Sequence, residues 1–139
     1  LSETVCARLR RKNSTAGVVS VELVDRDFKR SQAQRTLGFR TNKVSDIYGV
    51  ACEIFKSLWW GKPIRHIGIG TSKVQEKDSN QLNFFNQISS KEERLYSAMD
   101  DIRAKYGDDS VKRASFLCGE ADHMEGGTSK NKKNGLVYL

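Results

Sequence analysis

Histidine, cysteine and long apolar runs are all scarce in this chain of 139 residues. It has two histidines, His66 and His123, and three cysteines, Cys6, Cys52 and Cys118. The cysteines are odd in number and widely spaced, so they spell out no metal knuckle. Cys118 and His123 would need a third and usually a fourth ligand, and none stands at a plausible spacing, so no metal site is expected. The cysteines read as reduced, small apolar groups of a cytosolic protein. With no nucleophile, base and orienting group gathered in the sequence, no catalytic residue is expected either. No apolar stretch approaches the roughly 18 residues of a membrane span, and the first residues lack the basic-then-apolar design of a secretory signal. No membrane partner and a cytoplasmic location are therefore expected. The chain starts at Leu1, already in helical rhythm, as expected of a fragment of a longer protein.

What the chain does have is enough apolar content, 37%, for one modest core plus an appendage. Its charge is uneven. Leu1 to Gln75 carries 14 Lys and Arg against 6 Asp and Glu, whereas Glu76 to Leu139 carries 10 against 11. The basic half is the candidate polyanion surface.

Periodicity organises that half. In "LSETVCARLRRKN", Leu1, Val5 and Leu9 fall four apart with Cys6 beside them, the stripe of a helix. "AGVVSVELVDRDF" alternates, with Val19, Val21 and Leu23 on one side and Ser20 and Glu22 on the other, a strand with one buried face that ends in an Asp-rich turn. "KRSQAQRTLGFRT" is a polar strand with Leu37 and Phe39 as its apolar end. "TNKVSDIYGVACEIFKSLWWG" sets Val44, Ile47, Tyr48, Ala51, Ile54, Phe55 and Leu58 at helical offsets. Thr41 or Asn42 can cap that helix, Gly61 can end it in the left-handed conformation, and Pro63 prevents its resumption. "PIRHIGIGTSKV" is a short strand. The expected fold is α+β, an antiparallel sheet with two helices over one face and a C-terminal helical extension. Its other face is left to Arg, Lys, Gln, Ser and Thr, which suits phosphate contacts.

The run "VSVELVDRDFKRSQAQRTLGF", the stretch "SDIYGVACEIFKSLWWGKPIRHIGIGTSKV" and the later "QLNFF", in this order and spacing, resemble the little finger domain of Y-family translesion DNA polymerases, in the bacterial DNA polymerase IV and UV-damage repair group. The resemblance covers roughly Leu1 to Phe85 and continues more loosely through "KEERLYSAMDDIRAKYGDDSVKRASFL". It implies a domain that lies in the major groove of primer-template DNA and holds the phosphate backbone with strand side chains and backbone amides. Arg35 and Thr36 match the family's strand motif. Arg65 and His66 match its paired basic positions, with His66 where many relatives have Arg. Lys29, Arg30, Gln32, Gln34 and Arg40 complete the expected DNA-binding set. The family's first strand is absent, so three of its four strands are expected, and the unpaired edge favours self-association through the sheet. The palm is absent too, and with it the carboxylates that hold magnesium in the parent enzyme. This chain is expected to need no cofactor and to be inactive alone.

The resemblance also accounts for "QLNFF". In the family, a peptide of the type Gln-Leu-x-x-Phe in a flexible segment binds the pocket of the ring-shaped sliding clamp, so Gln81, Leu82, Phe84 and Phe85 are the expected clamp-binding residues. The competing reading folds Phe84 and Phe85 back onto the sheet domain. The expected division is a DNA-binding domain over 1–76, a linker with the clamp peptide over 77–90, and an extension over 91–139. In the extension Leu95, Ala98, Met99, Ile102 and Tyr106 form one helix face, closed by Gly107 and packed on the domain or a partner. Relatives often end soon after the clamp peptide. The alternative function is a stand-alone α+β nucleic-acid-binding module. Such a module has no reason to carry "QLNFF", and it usually displays stacking aromatics that these strands lack.

Overall fold

The computed structural model describes residues 1–76 and 89–114, which fall in two compact units. The first is built on β1 (Ser14–Asp25), the central strand of an antiparallel sheet in the order β2-β1-β3, with β2 spanning Arg30–Thr41 and β3 Ile64–Ser72. The Asp-rich turn after β1 forms because the Asp25 carboxylate accepts the N–H groups of Asp27 and Lys29, both at 2.9 Å, an Asx-type turn. Phe28 takes a left-handed φ of +62° there.

Residues opposite one another in a ladder share a face, so the register sorts the side chains. On one face run the rows Ser31–Leu23–Ile67, Ala33–Val21–Ile69 and Arg35–Val19–Thr71. Val19, Val21 and Leu23 are buried there, beneath two helices. α1 (Ser2–Arg11) buries Cys6, Ala7 and Leu9; Leu1, expected in that stripe, is exposed. α2 (Val44–Leu58) buries Val44, Ile47, Ala51 and Ile54. Its outer side carries Tyr48, where a hydrogen bond with Cys52 pushes the phenol above its ordinary range.

The ends of α2 differ from expectation. Its N-cap is Lys43, which makes no side-chain cap bond. Thr41, one residue pair earlier, is buried; its hydroxyl accepts the Lys43 N–H at 3.1 Å and donates to the Asp46 carboxylate at 2.6 Å. Asn42 is used elsewhere: its amide donates to the Ser14 carbonyl, and its own carbonyl accepts from Arg10, both at 3.2 Å. The two expected caps therefore join β1, α1 and α2 at one corner. At the other end the helix stops before Gly61. Trp59 turns extended while its N–H still bonds the Phe55 carbonyl, its ring stacks on Phe55 at 5.6 Å, and its indole N–H donates to the Lys62 carbonyl at 2.9 Å. Gly61 does take a left-handed φ of +79°, in the turn that leads to Pro63.

The three long strands are those expected. A fourth, β4 (Gln75–Glu76), pairs with Ser14 and Thr15 of β1. It continues β3 past an irregularity at Lys73, whose φ is +49°, and two residues are too few to register as a strand in sequence. In the second unit, α3 (Ser89–Tyr106) is closed as expected by Gly107 at φ +98°, and the Gly107 N–H bonds the Arg103 carbonyl. Arg103 is buried, and its guanidinium donates to the Val111 carbonyl at 2.8 and 3.2 Å, folding the chain back on the helix end. Of the expected apolar face, Leu95, Ile102 and Tyr106 are exposed and Met99 is half-buried.

Adjacent residues of α2 give a test of this packing. Ile47 is 0% and Tyr48 61% exposed. Ile47→Ala is expected to lose about 2–5 kcal/mol of stability through a cavity under the sheet, and Tyr48→Ala about 0.5 kcal/mol or less. Denaturant unfolding of the two variants measures the difference.

Candidate nucleic-acid interface

The second face of the sheet, opposite the helices, is where the polar strand and its neighbours converge. Its rows are Arg30–Val24–His66, Gln32–Glu22–Gly68, Gln34–Ser20–Gly70 and Thr36–Val18–Ser72. Five of the nine expected DNA-binding residues, Arg30, Gln32, Gln34, Thr36 and His66, are thus brought to one surface, and all five are exposed. The face offers amides, hydroxyls, an imidazole and a guanidinium, groups that hydrogen-bond phosphate and sugar oxygens. Its one carboxylate, Glu22, leans toward β2 and pairs with Arg30 at 3.1 Å. Both partners are partly exposed, so the pair contributes little stability; its effect is to turn the negative group away from β3.

The other four residues lie elsewhere. Arg35 alternates with Thr36, so it belongs to the helix-covered face, where it is paired with Glu53 of α2. Arg65 sits at the β1–β3 register irregularity, its guanidinium 4.5 Å from the centroid of the Phe28 ring, a cation–π contact at the turn end of the sheet. Arg40 lies in the β2 segment beyond the register shift between Ala16 and Val18 and donates to the Lys73 carbonyl. Lys29 is exposed in the turn, its backbone tied to Asp25. Lys29, Arg40 and Arg65 thus rim this face instead of lining it, and Arg35 belongs to the other face.

Two features escaped the sequence reading. The strands do carry exposed aromatics: Phe39, in the irregular end of β2, is 63% exposed, and Phe28, in the turn, 67%. Neither stands in a row of the open face. Ser20, Ser72 and Gly68 do stand there, and the alternation of β1 already placed Ser20 opposite the buried valines. Among the described residues, no group of three or more His, Cys, Asp or Glu comes together. Gln81, Leu82, Phe84 and Phe85 lie outside the described residues, as does Cys118.

Residues 1–84 match the impB/mucB/samB family C-terminal domain, and the chain belongs to this family, the C-terminal domain of Y-family polymerases. It is 33% identical over 128 residues to DNA polymerase IV 2 of Bacillus subtilis, covering 90% of this chain and 31% of that protein. Against DNA polymerase IV of Pelotomaculum thermopropionicum it is 31% identical over 134 residues, covering 88% of this chain and 33% of the relative. A Bacillus subtilis protein named for UV-damage repair is 28% identical over 82% of this chain. The chain spans about a third of the length of the curated relatives it matches. The first match takes in nine-tenths of the chain, so it reaches beyond "QLNFF" and includes α3.

Proposed function

We propose that this chain is the part of a translesion DNA polymerase that grips primer-template DNA by its backbone and tethers the enzyme to the sliding clamp. The observation that carries the first half is the second sheet face, where Arg30, Gln32, Gln34, Thr36 and His66 stand together in register and are all exposed. The basic excess of the first 75 residues supports the same reading, since cations at the rim raise the local concentration of a polyanion. The second half rests on the residue types of "QLNFF" and on the relatives' identity as polymerases. The parent works in the bacterial cytoplasm during DNA damage bypass. Its magnesium-dependent nucleotidyl transfer belongs to other domains, and this chain carries no cofactor, touches no membrane and does not polymerise alone.

A grip of this kind is independent of sequence and falls steeply with salt. Arg30→Ala is expected to weaken duplex binding on every sequence alike and to lower the slope of log affinity against log salt by about one. Titration at several salt concentrations is the check; a flat salt response for the unmodified chain overturns the reading.

For the tether, Leu82→Ala combined with Phe85→Ala is expected to abolish clamp binding, each anchor contributing on the order of 2 kcal/mol, with the melting temperature unchanged. A variant that melts several degrees lower, from a parent that never bound the clamp, returns these side chains to the core.

The sheet edge supports a third proposal, self-association. β2 is a twelve-residue edge strand among the described residues, and an unpaired edge recruits other chains. Light scattering should show concentration-dependent dimers, and a monomer at all concentrations rules them out.

A further inference from the structure

We infer that Gly68 is the point of closest approach between the sheet and DNA, a bare seat for one backbone phosphate between His66 and Ser20. The inference rests on the DNA-gripping reading and adds to it where on the open face the strand lies.

Glycine inside a strand carries a cost and needs a reason. It weakens the strand, and it persists at a bulge, at a tight internal contact, or where another backbone must come close. Gly70 is explained internally, because a Cβ there would stand 2.7 Å from the Ser20 hydroxyl oxygen. Gly38 lies in the shifted, irregular part of β2, where a glycine is at home. Gly68 has neither reason. It sits in regular register opposite Glu22, its φ lies outside the left-handed region, and a Cβ would meet nothing nearer than Glu22 Cβ and His66 Nε2, both at 3.9 Å. Nothing among the described residues requires a glycine there, and the missing side chain is taken to answer to something outside.

The groups around Gly68 fit a phosphodiester. His66 Nε2 flanks the bare position on one side, and the Ser20 hydroxyl, lying over Gly70, flanks it on the other. Both hydrogen-bond phosphate oxygens. The nearest repulsive group is Glu22, and its carboxylate is held toward β2 by Arg30. Among the described residues the lane along β3 is therefore clear of both side-chain bulk and negative charge, whereas the β1–β2 side is occupied by the ion pair. The phosphate backbone runs along β3, and Arg30 acts at a distance of two strands.

The test is a binding titration on the 139-residue chain with a primer-template duplex, alongside thermal melting. Gly68→Val is expected to melt at or above the parent temperature, since valine suits a strand, while DNA affinity falls about tenfold, the loss of one or two close contacts. Gly68→Ala, whose Cβ makes only ordinary contacts, is expected to fold as the parent does and to lose affinity in the same direction, which keeps the test decisive should the valine variant misfold. Gly49→Ala, in open space on α2, is the control and should gain stability with affinity unchanged. If the parent binds with a salt slope and Arg30→Ala weakens it, but both Gly68 variants stay within about twofold of the parent, by the same contact arithmetic, the seat is refuted and the grip stands. If the parent shows no salt-dependent binding, or Arg30→Ala leaves it untouched, the grip itself fails and the seat with it.

Discussion

Everything in the first unit depends on the register of β1. Its alternation puts Val19, Val21 and Leu23 toward the helices and Ser20 and Glu22 away from them, and as the central strand it passes that sorting to both neighbours. A slip of one residue in either ladder would carry a whole row of side chains to the opposite face. For β3 the cost would be direct, because Ile67 and Ile69 would trade places with His66 and Gly68. For β2 it would be smaller, because that strand is polar in both parities and its register is held mainly by the Asp25 turn at one end and the buried Thr41 at the other.

That difference decides what could be seen in the sequence. β1 and α2 were legible because each has one periodic apolar set; the structure buries Val19, Val21 and Leu23 of the first and Val44, Ile47, Ala51 and Ile54 of the second, leaving Tyr48 exposed and Phe55 and Leu58 half-buried. Order and handover of the elements followed. The caps of α2 were not legible, since Thr41 and Asn42 are both good capping residues and only the tertiary corner with Arg10 and Ser14 shows that they are used as a joint. α1 was shifted: a helix with Leu1, Val5, Cys6 and Leu9 has two overlapping stripes, and the sheet beneath it selects the one centred on Cys6.

The site was only half legible for the same physical reason. "RSQAQRT" offers no apolar member to mark an inside, so Arg35 and Thr36 look equivalent in sequence, yet pairing with β1 sends them to opposite faces. Arg35 then meets Glu53, eighteen residues on, through the geometry of α2. The resemblance carried both positions over as a pair, and nothing in a linear motif distinguishes a residue that faces outward from one that fastens the helix behind the strand. Gly68 was silent for a different reason: one glycine in "IGIG" is required by Ser20 and the other by nothing internal, a distinction that exists only once the strands are side by side.

The distribution of charge over this surface bears on the kind of grip it makes. The full cations Lys29, Arg40 and Arg65 stand at the rim, and the one cation in the rows, Arg30, is shared with Glu22. The centre is left to neutral groups, Gln32, Gln34, Ser20, Thr36 and Ser72. Neutral hydrogen bonds to phosphate are roughly half as strong as charge-assisted ones, and they are not tied to counterion release. For a sheet that grips DNA as proposed, the rim then supplies most of the affinity and its salt dependence, while the centre sets where the backbone lies. On that proposal, such a surface would hold loosely enough for the duplex to advance one step at a time. A loose grip needs help to stay on the template, and a tether to a ring around the same DNA supplies it by raising the effective concentration without adding any contact to the grip itself. On the proposed reading, a weak central face and the "QLNFF" peptide on one chain are two parts of the same physical solution.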